Sequence, residues 1–434
     1  MGVSAVYAGD PYHPSFTEFC VMHMPVTRDL SLRLGEVCDV NRFRFALGGA
    51  VLCILALGAR AAHAEDAAKP AEPAKPTAPS LTDVLTASGV DLHGYVDAAY
   101  SYLSGTGIFT GGVADRVFDT EPNSFNLHQA ALIIDYQPKE GFGGLVNLTA
   151  GRDARVIASA GEATSNFDVT QAFAQYAHGP LTVIGGKFVT LAGAEVINST
   201  QDTNYSRSIL FGYAIPFTHT GVRLTYAASD QLSLIVGVNN GWDQLQDQNK
   251  QKTAELGVSF VPNKLFSLAV QGYSGVEQLA AGTFIGAGTH GVRTLVDAVG
   301  TYNATSQLTF ILNVDWGQQE NFTSLVNGTP IKAKWDGAAA YANYQVNDQW
   351  RLSVRAEYFD DKDGYRTGVI QKWKEATLTL AYLPTKFIEL RGEVRGDKSD
   401  SNAFVKDTTF FTGAPGSGIT DNQTSIGLEA VYKF

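Results

Sequence analysis

The sequence predicts a transmembrane antiparallel β-barrel of about 16 strands, with long loops on one side of the membrane and short turns on the other. Three observations support this fold class. Apolar and polar residues alternate with a period of two over segments of about 9–12 residues, which suits tilted membrane-spanning strands. Short and long connections between these segments also alternate. No apolar run reaches the roughly 18–20 residues that a membrane-spanning helix needs, which excludes a helical membrane protein.

The composition narrows the function classes further. The chain has 434 residues, of which 44% are hydrophobic and 17% charged, and its net charge is −11. A nucleic-acid partner would favour a basic surface, so we expect none. The charged fraction is below that of a typical soluble protein, while aromatic residues are frequent. These values fit an extracytoplasmic barrel better than a cytosolic enzyme.

The first 64 residues predict a leader that directs export. Arg42 and Arg44 form a basic region, 45–59 is apolar, and Ala62-His63-Ala64 has the A-x-A pattern that precedes cleavage. We therefore expect a secretory signal peptide that is removed after Ala64.

Two further boundaries follow. The signal pattern starts about 40 residues into the chain, so we expect 1–40 to be an over-extended start, with translation beginning near Met24 or at a nearby non-Met codon. Residues 65–90 are rich in Ala and Pro at first and predict a periplasmic linker, with a short helix between Leu81 and Asp91. Residues 91–434 are predicted to form the barrel.

Several segments alternate over their whole length, and aromatic residues gather at the ends of the apolar faces, as they do in the girdles at membrane interfaces. The clearest strands are Ala254–Phe260, Leu308–Trp316, Trp350–Tyr358, Phe387–Asp397 and Ser425–Phe434. The predicted girdle residues are Tyr226, Trp242, Phe260, Trp316, Trp350, Tyr358 and Tyr382.

The connections predict the strand count and the membrane. Seven short and eight long connections separate 16 strands, and an even count with loops sorted by side is typical of the bacterial outer membrane. The last strand is perfectly alternating and ends on aromatic residues, so we expect Tyr432 and Phe434 to serve as the signal for the barrel-assembly machinery. The long connections cover about 104–123, 153–166, 190–218, 241–252, 274–291, 317–333, 360–372 and 397–420.

Residues 205–243 read YSRSILFGYAIPFTHTGVRLTYAASDQLSLIVGVNNGWD, and an early strand reads GYVDAAYSY. These stretches resemble the β-barrel porin-2 (OmpL-like) family of Gram-negative bacteria, and the resemblance covers about 90–434. It implies an outer-membrane channel but does not define the substrate.

With lipid outside the barrel, the polar face of each strand must line the lumen, and a barrel of this size leaves an aqueous passage. We therefore expect a passive porin for ions and small hydrophilic solutes, with a weak preference for cations because carboxylates outnumber arginines on this face. The arginines are either a cross-strand ion-pair network that stiffens the wall or a basic strip that sets a transverse field. The predicted pore-lining residues are Arg223, Glu255, Asp297, Asp315, Arg351, Arg355, Glu357, Glu375, Glu389, Arg391, Glu393, Arg395 and Glu429.

The loop over 190–218 is predicted to be the third extracellular loop, joining strands 5 and 6. In general 16-strand porins this loop folds inward and narrows the channel, so Glu195, Asp202 and Arg207 are candidate constriction residues. The alternative is a loop that caps the barrel mouth or packs against its rim.

Other functions have weaker support in the sequence. The histidines are scattered and lack an H-x-x-x-H pair, so we expect no metal site, no cofactor and no enzyme activity. The alternatives are a structural or adhesion barrel plugged by its loops and, with less support, an outer-membrane hydrolase. The expected partners are outer-membrane lipids, the barrel-assembly machinery, and small solutes and ions. A homo-oligomer is a further possibility that the sequence does not decide.

Overall fold

The computed structural model describes residues 80–107, 116–121, 123–160, 166–278, 290–406 and 419–434. The chain divides into Met1–Thr77 and Ala78–Phe434, and the described residues all belong to the second unit. The predicted leader and most of the predicted linker lie outside the described residues and stay predictions.

Sixteen antiparallel strands form a closed barrel in which each strand pairs with its sequence neighbours and the last strand pairs with the first. This confirms the predicted fold class and strand count. The strands are β1 Asp91–Leu103, β2 Ser124–Tyr136, β3 Gly141–Ala150, β4 Phe167–His178, β5 Leu181–Val189, β6 Thr218–Ala227, β7 Leu232–Asn239, β8 Thr253–Phe260, β9 Phe266–Gln278, β10 His290–Asn303, β11 Leu308–Thr323, β12 Pro330–Asn347, β13 Trp350–Asp361, β14 Gln371–Thr385, β15 Ile388–Ser399 and β16 Asn422–Lys433.

Pairing between β1 and β16 closes the barrel. Tyr95 lies opposite Lys433, and the pairing runs without a shift to Leu103 opposite Ser425. Phe434 extends the pairing by one residue, because its N–H donates to the carbonyl oxygen of Gly94 at 2.9 Å and its carbonyl oxygen accepts from the N–H of Gly94 at 3.0 Å. Closure leaves no unpaired strand edge in the membrane, where exposed backbone polar groups would be costly.

The two faces of the barrel differ as the alternation predicts. On β16, Leu428 is 62% exposed on the outer face, whereas its neighbour Glu429 is 4% exposed and faces inward. Tyr432 and Phe434 lie on the outer side and are about half exposed. Lipid can cover the apolar outer face without a cost in free energy, and the charged side chains lie in the interior.

The connections follow the predicted sorting, and the largest difference in extent concerns one of the long loops. The predicted long connection over 317–333 shrinks to 324–329, because β11 and β12 stay paired as far as Thr323 and Pro330. These two strands have 16 and 18 residues, longer than the predicted segments. The short segments Gly105–Gly107, Phe404–Lys406 and Ile419–Thr420 form a separate three-stranded sheet among the long loops.

Within the described ranges, helical structure is limited to short pieces. Helix α1, Leu81–Ser88, starts at a capping box in which the Ser80 hydroxyl accepts from the N–H of Asp83. The hydroxyl and the N–H of Ser80 in turn donate to the Asp83 carboxylate, and these bonds lower the pKa of the carboxyl. The helix ends sooner than predicted because Gly89 adopts a left-handed conformation with φ 71°. Helix α2, Ala154–Ile157, lies between β3 and β4. None of the helices in the described ranges is long and apolar enough to cross a membrane.

Candidate functional site in the barrel lumen

The predicted pore-lining side chains all lie on the inward face of the barrel. Only Arg351, near the turn that precedes β13, is partly exposed, and the others are buried. They are not spread as an open, solvated wall. Five of them hydrogen-bond to a loop that enters the barrel, namely Arg355, Glu357, Arg391, Glu393 and Arg395, and the contacts of this loop define the candidate site.

Loop L3, residues 190–217 between β5 and β6, folds into the barrel. The predicted constriction residues Glu195, Asp202 and Arg207 are 5%, 6% and 7% exposed, which fits the inward-folding interpretation rather than a cap at the mouth. The loop carries a turn of 3₁₀ helix at Ser199–Gln201 and a short helical segment at Leu210–Ala214.

One side of L3 is apolar and packs on an apolar part of the wall. Leu210, Phe211 and Ile215 belong to a continuous buried cluster with Trp335 of β12 and Trp373 of β14. The indole N–H of Trp335 donates to the carbonyl oxygen of Ala214 at 3.1 Å, so the polar atom of this buried ring is satisfied. Burial of several large apolar side chains stabilises L3 inside the barrel.

Two wall carboxylates hold the backbone of L3. Glu357 of β13 accepts hydrogen bonds from the N–H groups of Ile209 at 2.8 Å and Leu210 at 3.2 Å, where the short helical segment begins. Glu393 of β15 accepts from the N–H groups of Tyr205 at 2.7 Å and Ser206 at 3.0 Å. Backbone amides that bond to a carboxylate make charge-assisted hydrogen bonds, which are stronger than neutral ones.

Three wall arginines hold the carbonyl groups of the same loop. Arg391 donates to the carbonyl oxygens of Asp202 at 2.8 Å and Ser199 at 3.1 Å. Arg395 donates to the carbonyl oxygen of Arg207 at 2.7 Å. Arg355 donates to the carbonyl oxygen of Ser206 at 2.6 Å and to the Glu195 carboxylate at 2.7 Å. The barrel wall therefore binds both the N–H groups and the carbonyl groups of the L3 backbone.

The same arginines are paired with acids on their own strand or on a neighbouring strand. Arg355 lies 3.0 Å from Glu375, and Arg391 lies 2.7 Å from Glu389 and 2.9 Å from Glu429. The structure thus favours the cross-strand ion-pair network over a basic strip facing distant acids. Arg351 also pairs with Glu389. The network is fixed on both sides, by the strands and by L3.

A second ion pair lies apart from this network. Arg223 of β6 and Glu255 of β8 are 2.8 Å apart, and the Arg223 guanidinium lies 4.2 Å from the centre of the Phe188 ring. A buried ion pair stabilises the fold only when its geometry is good. The Phe188 ring adds a cation–π contact with Arg223.

Asp297 of β10 and Asp315 of β11 form an acidic pair without a cation. They are directly opposite in register and fully buried, and neither makes an ion pair with any described residue. Neither carboxylate oxygen of Asp315 accepts a hydrogen bond from any described group other than Asp297. The Asn313 amide donates to one oxygen of Asp297 at 2.6 Å.

Replacing Asp315 with Asn should raise the free energy of unfolding by about 1–3 kcal/mol, the cost of an unsatisfied buried polar group. The amide has the same shape, removes the repulsion and can donate to Asp297. Urea unfolding in detergent measures the change. Glu375→Gln is the control, since Glu375 has an arginine partner and its loss should destabilise the barrel. A less stable Asp315→Asn variant would contradict this interpretation.

Several polar residues beside L3 were missed by the sequence analysis. Asp97 of β1, His128 of β2 and Asp153 before α2 are buried together, and the His128 ring lies 3.3 Å from the Asp153 carboxylate. Asp97 could have been predicted, because the alternation along β1 places it on the inward face. The loop residues Arg116 and Asp119 carried no periodic signal.

These residues surround a chain of small cavities between L3 and the wall. Three cavities of about 10 Å³ each share lining residues, and each has room for about one water molecule. Arg207 of L3 borders two of them, and its guanidinium lies 5.6 Å from the centre of the Phe118 ring. The lining acids and bases are Asp97, Asp119, Glu121, His128, Asp153, Arg116, Arg152, Arg207 and Arg395.

One predicted girdle residue is placed wrongly by the sequence analysis. Trp242 lies in the loop after β7 and is 3% exposed, packed edge-to-face against Trp335 inside the barrel. It was assigned to the interface because it follows an alternating strand, but the strand ends at Asn239 and the chain turns inward. Tyr226, Trp316 and Trp350 are exposed on the outer surface, as predicted.

Comparison with known proteins agrees with this architecture. A family model described as Putative beta-barrel porin-2, OmpL-like, matches residues 89–434. The chain belongs to this family. Membership confirms the predicted resemblance, and together with the solved structures described next it places this porin-2 barrel in the outer membrane. A comparison with curated proteins finds no match.

Solved structures with the same fold are outer-membrane channels. The channel DcaP of Acinetobacter baumannii is similar with a TM-score of 0.54 and 15% identity, over 80% of this chain and 97% of that chain. The anion-selective porin from Comamonas acidovorans has a TM-score of 0.55 and 12% identity, over 80% and 99%. The trimer form of OmpT from Vibrio cholerae has a TM-score of 0.54 and 14% identity, over 80% and 99%. At these identities the similarity concerns the fold.

Proposed function

We propose that this porin-2 barrel is a passive diffusion pore for ions and small hydrophilic solutes, with L3 as its constriction. The observation that carries the proposal is the asymmetric position of L3. Its apolar side packs on the wall around Trp335 and Trp373, while polar groups and small cavities border Arg207 on its other side. A gradient of the solute supplies the driving force, and no cofactor is required.

The route that we propose runs along β1, β2 and L3, past the chain of cavities. Asp97 and Asp153 lie on the wall side, and Arg207 lies on the loop side. Solutes that pass here meet charges of both signs at close range, in a region where the apolar cluster excludes water from the rest of the cross-section. Charged rings of this kind bias ion passage in channels.

We further propose a weak preference for cations. The predicted wall carries more carboxylates than arginines. A negative excess on the wall lowers the energy of a cation in the lumen and raises that of an anion. A reversal potential that favours anions across a salt gradient would contradict this preference.

Single-channel recording of the mature chain in a planar bilayer tests the proposal. We expect defined conductance steps for the wild type and a clearly larger conductance after deletion of 195–210, because this stretch fills part of the lumen. A shift between boiled and unboiled protein on a gel checks that the deletion variant folds. An unchanged conductance in a folded deletion variant would show that L3 is not the constriction.

The second candidate function is a structural or adhesion barrel plugged by its loops. The buried network around Arg355 and Arg391 favours it, since both side chains are fully enclosed between the wall and L3. The same recordings separate the two, because folded protein that conducts no ions would support the plugged barrel. A homo-oligomer is also proposed, and chemical cross-linking in outer-membrane vesicles would test it.

A further inference from the structure

Three side chains with metal-binding groups meet at the periplasmic mouth of the barrel. Asp91 and His93 lie on β1, two residues apart and therefore on the same face of the strand. Asp135 lies near the end of β2, directly opposite Asp91 in register. The three side chains belong to the inward face of the wall, beside the turn that joins β2 and β3.

Their donor atoms are close enough to share one ion. The Nδ1 atom of His93 lies 3.2 Å from Oδ2 of Asp91 and 3.9 Å from Oδ1 of Asp135. All three donor atoms lie within 4.8 Å of one another. A zinc ion binds nitrogen and carboxylate oxygen at about 2.0–2.2 Å, so only a small inward rotation of the aspartates would bring three ligands onto one ion.

The imidazole nitrogen at the centre of this group has no hydrogen bond. His93 Nδ1 is shielded from solvent and makes no hydrogen bond to any described group, although two carboxylates lie beside it. A metal ion held between these side chains would bond to the lone pair of this nitrogen. The side chains of His93 and Asp91 are 43% and 72% exposed, so an ion can reach the group from the periplasm. Across the described ranges, no other group of three such side chains meets the same distance limit.

We propose that Asp91, His93 and Asp135 bind a divalent transition metal ion of the zinc class at the periplasmic mouth. One imidazole nitrogen and two carboxylate oxygens form a donor set that suits zinc and its neighbours, whereas calcium and magnesium prefer oxygen ligands alone. Water completes the coordination. The proposal does not depend on the channel function, because it concerns binding only.

The chain supplies a matched control in the next periplasmic turn. His178 lies 3.1 Å from Glu140, and this pair has one carboxylate instead of two. The N–H of Gly179 and His178 already engage Glu140 and lower the pKa of its carboxyl. Because His178 and Glu140 already contact each other and are open to solvent, they should not bind zinc tightly.

Isothermal titration of the refolded chain with zinc chloride tests the proposal. We expect one zinc ion per wild-type chain, at least about ten-fold weaker binding for His93→Ala and for Asp135→Asn, and unchanged binding for His178→Ala. A heat-dependent shift on a gel confirms that each variant folds. Absence of zinc binding by the wild type, equal binding by wild type and folded His93→Ala, or equal affinity for calcium chloride would each overturn the proposal.

Discussion

Replacing Arg355 with Ala should lower the free energy of unfolding by about 3–5 kcal/mol, because the change leaves buried acids without their cation. The guanidinium is fully buried and bonds to Glu375 at 3.0 Å, to Glu195 at 2.7 Å and to the Ser206 carbonyl at 2.6 Å. Its loss therefore removes a wall contact and an L3 contact at once. Urea unfolding in detergent, followed by tryptophan fluorescence, measures the change.

Arg351→Ala is the matched control for this experiment. Arg351 lies four positions earlier on the same face of β13, but it is partly exposed, and its partner Glu389 keeps Arg391 and Lys433. We expect a clearly smaller loss than for Arg355→Ala, because Glu389 keeps two other cations and no buried acid loses its only partner. Equal losses for the two variants would show that burial within the L3 network adds nothing to the stability of the barrel.

Replacing Glu357 and Glu393 together with Ala should release L3 from the wall and raise the single-channel conductance. The two carboxylates accept from the N–H groups of Tyr205, Ser206, Ile209 and Leu210. Hydrogen bonds to charged groups contribute about 1.5–3 kcal/mol each, so the loss of four weakens the docking of the loop severely. We expect frequent transitions to a larger conductance level.

Glu277→Ala controls for the loss of any inward carboxylate. Glu277 accepts from the N–H of Trp242 at about 3.2 Å and from the Thr253 hydroxyl at 2.7 Å, so it holds a different loop. Its replacement should leave the main conductance level in place. If the double variant gives the wild-type conductance with stable steps, the carboxylates do not hold the constriction.

The barrel could be predicted because its physical cause acts on every strand. Lipid outside and polar groups inside impose a period of two, which also assigns the inward face of Arg355, Arg391 and Glu429 correctly. Each such assignment needs only one piece of knowledge, namely whether the odd or the even positions of that strand face inward. The same reasoning placed 190–218 between strands 5 and 6 and gave the even strand count.

The contents of the lumen could not be predicted in this way. Trp335 and Trp373 share the inward parity of polar residues on their strands, Asn343 and Glu375, and parity does not tell whether an inward side chain meets water or a loop. Trp242 was misplaced for the related reason that a strand end says nothing about the path of the following loop. The pair of Arg355 and Glu195 joins residues 160 positions apart, and alternation within a strand contains no information on such pairs.

The attachment of L3 also sets an order of events during synthesis and assembly. The groups that receive this loop come from late strands, since Ile209 and Glu357 are 148 residues apart and Ser199 and Arg391 are 192 apart. Residues 190–217 leave the ribosome long before their acceptors, and contacts of high sequence separation form slowly. The loop must therefore stay undocked until β13 to β15 are in place, so the barrel reaches its narrow state only at the end of maturation.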